Sequence, residues 1–105
     1  MTLRTKRFVR FLSDEDAVDL TLTMQAGRIT GFCLNYRARV GTIWHEVVRY
    51  DTAHGWPHVH RFWRGTTGRP WPGSPPGDLG AAASWADQDL HANWREYRTR
   101  LEATL

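Results

Sequence analysis

The feature that most restricts the fold is a change of hydrophobic period across a single break. Residues 65–77 read GTTGRPWPGSPPG, four glycines and four prolines among thirteen residues, a composition that no helix or strand can run through. Before the break apolar residues recur with period two, and after it with period 3.6. A chain patterned this way is α+β, strands first and a helix last.

The strands follow from local pattern. In residues 17–25, Val18, Leu20, Leu22 and Met24 alternate with Asp19, Thr21, Thr23 and Gln25, which describes a strand with one dry and one wet face. Residues 5–12, TKRFVRFL, alternate less cleanly and carry cations, as an edge strand does, and a polar turn at 13–16 follows them. Ala26-Gly27 predicts a tight hairpin into a strand over 29–39, with Gly27 able to take positive φ and Phe32, Leu34 and Tyr36 sharing a face. Gly41 marks the next turn. A fourth strand over 42–51 sets Trp44, Val48 and Tyr50 against His45, Val47, Arg49 and Asp51; bulky on both sides, it belongs in the middle of a sheet. Pro57 bounds a fifth strand over 58–64, with His58, His60 and Phe62 on one side and Val59, Arg61 and Trp63 on the other.

Past the break, Asp78 suits an N-cap, and Ala83, Ala86, Leu90, Trp94, Tyr97 and Leu101 draw one apolar stripe down a helix to about residue 105. Asp87 and Asp89 lie early and Arg95, Arg98 and Arg100 late, as the helix dipole favours. The expected architecture is one domain: an antiparallel meander of about five strands (1–64), a Pro/Gly-rich connector (65–77), and one long C-terminal amphipathic helix (78–105) packed on the sheet.

A 105-residue chain with 41% hydrophobic and 12% aromatic residues has enough for one modest core and is not a disordered segment, so it should fold alone or as a small homo-oligomer. No eighteen apolar residues run together, and MTLRTKRFVRFL lacks an apolar signal region; the expectation is a cytoplasmic protein with no membrane span. Cys33, the one cysteine, excludes an internal disulfide and a cysteine-based zinc site, and reads as a small buried hydrophobe. The net charge of +3 is unevenly spread: residues 1–77 hold 11 Lys/Arg against 6 Asp/Glu, and residues 78–105 hold 3 against 5. Nearly all the cations are arginine, which suits phosphate or carboxylate partners, although a GC-rich genome enriches arginine without functional cause. Arg4, Lys6, Arg7 and Arg10 can track a phosphate backbone or form a solvated edge. Trp44, Trp63, Trp85 and Trp94 read as core, and Trp56 and Trp71, flanked by Gly and Pro, as exposed contacts.

Chemistry concentrates in residues 47–63, VVRYDTAHGWPHVHRFW, where His54, His58 and His60 follow H-x3-H-x-H and Asp51 stands three residues ahead. Three readings are open. In the first, without a cofactor, His58 or His60 takes a proton from a 2′-hydroxyl, Asp51 orients the imidazole, Arg49 or Arg61 stabilises charge on a phosphate, and Tyr50 offers it a hydroxyl. In the second, His54, His58 and His60 hold zinc or another first-row metal with a position left for water. In the third there is no catalysis: the stretch is an ordinary strand ending, and the domain binds a protein or nucleic acid through an exposed sheet face or its Arg-rich edge. A site exists if the Arg49/Asp51 face and the His58/His60 face coincide. If they are opposed, the bland reading wins.

The VVRYDTAHGWPHVHRFW stretch, followed by a Gly-containing turn and a C-terminal amphipathic helix, resembles a family of small uncharacterised prokaryotic proteins with a VVRYDTAHG-like signature. More distantly it resembles the TumE-type toxins of toxin–antitoxin modules, in which a strand ending in R-Y-D leads into an H-rich segment; here that segment has Val59 and Arg61 around a single H-x-H. The resemblance implies a small cytoplasmic effector acting on RNA or another nucleotide target and held inactive by a cognate antitoxin, with Arg49, Tyr50, Asp51, His54, His58 and His60 as the matching positions. The leading expectation is therefore a toxin-like, metal-independent endoribonuclease or RNA-binding effector, with His58, His60 and Asp51 catalytic and Arg49, Tyr50 and Arg61 in contact with substrate.

Overall fold

The computed structural model describes residues 2–53, 57–71 and 78–105. Before the break, β1 (Arg4–Ser13), β2 (Asp16–Gln25), β3 (Arg28–Val40), β4 (Ile43–Asp51), β5 (His58–Arg61) and β6 (Arg69–Pro70) lie side by side in chain order, each antiparallel to the next. After it, α1 (Leu79–Glu102) runs across one face of the sheet. Consecutive hairpins keep every loop short, so closure entropy stays small. The β2–β3 turn has positive φ at both central residues, 50° at Ala26 and 77° at Gly27, the geometry whose twist matches the flanking strands.

Alternation sorts the side chains. Val18 and Leu20 of β2, Phe32, Leu34, Tyr36 and Ala38 of β3, Val48 and Tyr50 of β4, and Val59 of β5 are buried beneath Ala82, Ala83, Ala86, Leu90 and Leu101 of α1. Asp78 caps the helix, its Oδ1 accepting from the Ala81 N–H at 2.7 Å, which satisfies one of the donors that a helix start leaves open. Two carboxylates fasten helix to sheet. Asp16 of β2 accepts from the Tyr36 hydroxyl at 2.5 Å and from Arg98 Nη1 of α1 at 2.9 Å. Asp89 of α1 accepts from the Tyr50 hydroxyl at 2.6 Å.

The expected antiparallel meander and C-terminal helix are present, and the meander gains a short sixth strand where Arg69–Pro70, inside the connector, pairs with His58 and Val59. Several other expectations are corrected. The fifth strand stops at Arg61, and Phe62–Arg64 turn into a single 3-10 turn that stacks Trp63 on Tyr97, ring centres 5.6 Å apart. Trp71 is 6% exposed rather than on the surface: it sits 4.8 Å from the Tyr50 ring and 5.2 Å from Trp85, and burying so much apolar area outweighs the preference of its neighbours for loops. Trp85 is correspondingly half-exposed at the rim. Trp44 is exposed as well, since the register slips between Tyr36 and Arg37 and gives Val47 no partner of its own. One extra residue reverses parity, so Trp44 leaves the face of Tyr50 and lies under the guanidinium of Arg37, 4.5 Å from its ring centre. Cys33 is half-buried on the open face rather than in the core. Trp56 lies outside the described residues.

Candidate functional site

The face of the sheet turned away from α1 is where the chemistry gathers. In the β4–β5 ladder Arg49 stands opposite His60 and Asp51 opposite His58. Directly opposed residues share a face, so the Arg49/Asp51 and His58/His60 faces coincide. Asp51 Oδ2 receives the Arg49 Nε–H at 3.1 Å and lies 3.5 Å from His60 Nε2. Its other oxygen accepts from the Ala53 N–H at 3.2 Å, which fixes the carboxylate at the strand end. Arg49 also reaches Glu46 through Nη1 at 3.2 Å.

His60 is held on every side. Its Nδ1 is 3.2 Å from the Thr66 carbonyl oxygen; a carbonyl only accepts, so Nδ1 donates to it and Nε2 is the nitrogen that faces Asp51. Phe62 stacks on the ring at 6.0 Å with planes 16° apart, and the Arg49 guanidinium lies 5.4 Å from the Phe62 ring centre. Gly68 closes the remaining side: a Cβ there would stand 2.6 Å from Cε1 and 2.7 Å from Nε2 of His60. Gly68 is absent from the glycines with positive φ, so it is required for space and not for backbone freedom. Thr66 and Gly68 were hidden in the sequence because a Gly/Thr run reads as a turn whatever it touches.

Beside Asp51 the open face dips into a hollow of about 410 Å³ lined by Thr21, Thr23, Cys33, Arg49, Asp51 and Thr52. Hydroxyls line it beside the paired Arg49 guanidinium and Asp51 carboxylate, which suits a polar guest that offers both donors and acceptors. Burial pushes the Cys33 thiol pKa up, and the facing Asp51 carboxylate adds to the effect, so the thiol stays protonated at neutral pH and is not a nucleophile there.

The other expected site residues separate from this group. His58 lies on the same face and is 8% exposed, between Asp51 and the β6 residue Pro70; Asp51 is as deeply set, 7% exposed, but it borders the hollow and His58 does not. Tyr50 points the opposite way, its hydroxyl bound to Asp89 beneath the helix; burial first, then that hydrogen bond, push its pKa far up. Arg61 pairs with Val48 and shares its helix-side face, so neither it nor Tyr50 joins Asp51. His54 lies outside the described residues. Among the described residues no group of three or more His, Cys, Asp or Glu side chains is arranged to hold a metal ion, and no helix is long and apolar enough to cross a membrane.

Compared with known proteins, residues 3–105 match one family model, described as a domain of unknown function, DUF7718. No curated protein and no solved structure matches the chain.

Proposed function

The chain belongs to the DUF7718 family of domains of unknown function, and we propose that it acts as a toxin-like, metal-independent endoribonuclease whose working groups are His60, Asp51 and Arg49. The observation that supports this reading is the convergence of an imidazole, a carboxylate and a guanidinium on the open face, at 3.5 and 3.1 Å from one carboxylate oxygen. An RNA strand lying across the adjacent hollow would bring a 2′-hydroxyl alongside His60 Nε2 and Asp51 Oδ2, which face each other across a gap of 3.5 Å. That gap is wider than the ~2.9 Å of a relaxed hydrogen bond, and such contacts tighten when substrate arrives.

The 2′-oxygen attacks the neighbouring phosphorus while its proton passes to the His60–Asp51 pair. The P–O5′ bond breaks, the 5′-oxygen takes a proton from solvent, and a 2′,3′-cyclic phosphate remains. Arg49 supplies positive charge to the non-bridging oxygens, the part a metal plays elsewhere. A positioned acid–base group of this kind contributes about 10²–10⁴-fold in rate. The reading carries a cytoplasmic setting and an antitoxin that holds the chain inactive. In support of such a protein partner, Phe8 on one face of the edge strand β1 and Val9 and Phe11 on the other are each more than half exposed, an edge that a single chain has reason to cover.

The test is cleavage of single-stranded RNA by the purified chain in EDTA. Wild type should cut and leave 2′,3′-cyclic phosphate ends, and His60→Ala should lose about 100-fold or more in rate. The reading fails if wild type leaves RNA intact, or if His60→Ala cuts as fast.

A further inference from the structure

At the far end of the helix-covered side, where β5 and the 3-10 turn meet the C-terminal half of α1, the geometry points to a second site: an anion pocket built for a phosphate group. The pocket measures about 440 Å³, and Arg61, Arg64, Trp63, Tyr97 and Arg100 line it together with Glu96. Arg69 borders a small hollow that shares Arg61 and Arg64 with it. It does not rest on the ribonuclease reading, because Arg61 lies on the opposite face of the sheet from His60.

Three observations carry the assignment. The side chains of Arg61, Arg64 and Arg69 make no ion pair or hydrogen bond among the described residues, whereas most other arginines of the fold are spoken for, Arg98 alone reaching Glu15, Asp16 and Glu102. Arg61 is also half-buried, and a guanidinium withdrawn from water without a close counter-charge calls for an anion. Among the described residues the indole Nε1–H of Trp63, a residue of the pocket lining, has no acceptor, and an oxyanion held by the neighbouring guanidiniums would supply one.

Aromatic stacking is already taken up. Tyr97 stacks on the Trp63 ring, and the Arg100 guanidinium lies 6.0 Å from the centre of that ring. The pocket therefore recognises charge and oxygen geometry rather than a base. Guanidiniums arrive from β5, from the 3-10 turn and from α1, three directions that match a tetrahedral phosphate better than a planar carboxylate, which one arginine fork can satisfy. Glu96, the acid in the lining, is bound to Arg100 at 3.0 Å and its side chain is 60% exposed, so it tempers the positive field without filling the pocket. Asp89 lies deeper, satisfied by Tyr50, Tyr97 and Asn93.

The indole N–H resonance of Trp63, assigned with Trp63→Phe, reports on the pocket directly. Titration of the ¹⁵N-labelled chain with sodium phosphate, against sodium chloride of equal ionic strength, should move that resonance saturably. Arg64→Ala changes an exposed residue and should fold, and it should weaken the response about tenfold, the scale expected for removal of one charge-assisted contact. Lys6→Ala, at the opposite edge, should leave the response unchanged. The proposal is overturned if phosphate moves the resonance no more than chloride, or if Arg64→Ala responds like wild type. Two further probes separate the sources of phosphate. Saturation by a short RNA lacking terminal phosphates assigns the pocket to a strand backbone, and saturation by a nucleoside monophosphate alone assigns it to a free phosphomonoester. Failure of RNA cleavage elsewhere on the chain would leave this result untouched.

Discussion

Asp89 and Asp51 stand on opposite faces of one sheet, and strand β4 serves both, sending Tyr50 to the first and supplying the second. Asp89 is held by neutral donors at short range, Tyr50 at 2.6 Å, Tyr97 at 2.8 Å and Asn93 at 2.9 Å. Asp51 is held at longer range, by the Ala53 N–H at 3.2 Å and by two groups that carry or can carry charge, Arg49 at 3.1 Å and His60 at 3.5 Å. The first arrangement is closed over by the helix and saturates its acceptor, so it acts through stability. The second borders a hollow that threonine hydroxyls help to line. One carboxylate is saturated by short hydrogen bonds and the other is met by longer contacts, and the difference lies in donor type and distance rather than in residue type.

Perturbing each face should separate these roles. The largest effect belongs to Tyr50→Ala, which empties a fully buried ring site next to Trp71 and Trp85 and should cost about 3–5 kcal/mol in denaturant unfolding. Gly68→Ala should come next, at about 1–3 kcal/mol if the His60 ring cannot retreat, and the His60 imidazole resonances should shift with it; unchanged resonances would mean that Gly68 does not position the ring.

The helix-side face should also respond to alkali. Burial first, and then the carboxylate each one donates to, raise the pKa of the Tyr36 and Tyr50 phenols above the ordinary 10.0. The unfolded chain releases these protons above pH 10 while the folded chain keeps them. The stabilisation is therefore complete below pH 10 and is lost as pH rises beyond it, by about 1.4 kcal/mol per pH unit for each tyrosine. Tyr97 shares the Asp89 carboxylate and its phenol is raised by burial and that hydrogen bond too, so urea midpoints at pH 9 and 11 should show this fall, and Tyr50→Phe should remove about a third of it. The smallest effect belongs to Asp51→Asn, whose partner Arg49 is half-exposed and keeps Glu46; its stability should change by no more than about 1 kcal/mol.

Much of this architecture was legible because it depends on period. The alternation of Val18, Leu20 and Leu22, the Ala26-Gly27 turn, the Asp78 cap and the stripe from Ala83 to Leu101 each follow from local rules, and each is where it was expected. The arginine, aspartate and histidine of the site were legible as residues, but their meeting was not: it depends on the β4–β5 register, and two antiparallel strands joined across Pro57 can pair in more than one. Trp44 and Trp71 went the other way for tertiary reasons. A bulge at Val47 reversed the parity of Trp44, and the demand of Tyr50 and Trp85 for a cover drew Trp71 inward. Gly68 and Thr66 carry no signal of their own, since contact with the His60 ring is made by the fold.

The most direct test of the account is the rate of RNA cleavage by wild type, Asp51→Asn, His60→Ala and the double variant, with Tyr36→Phe on the helix side as a control for folding. If Asp51 and His60 work as one unit, each single change removes about 100-fold or more, the double change is no worse than the worse single one, and Tyr36→Phe cuts at the wild-type rate. Losses that multiply in the double variant, or cleavage that survives both single changes, would contradict it.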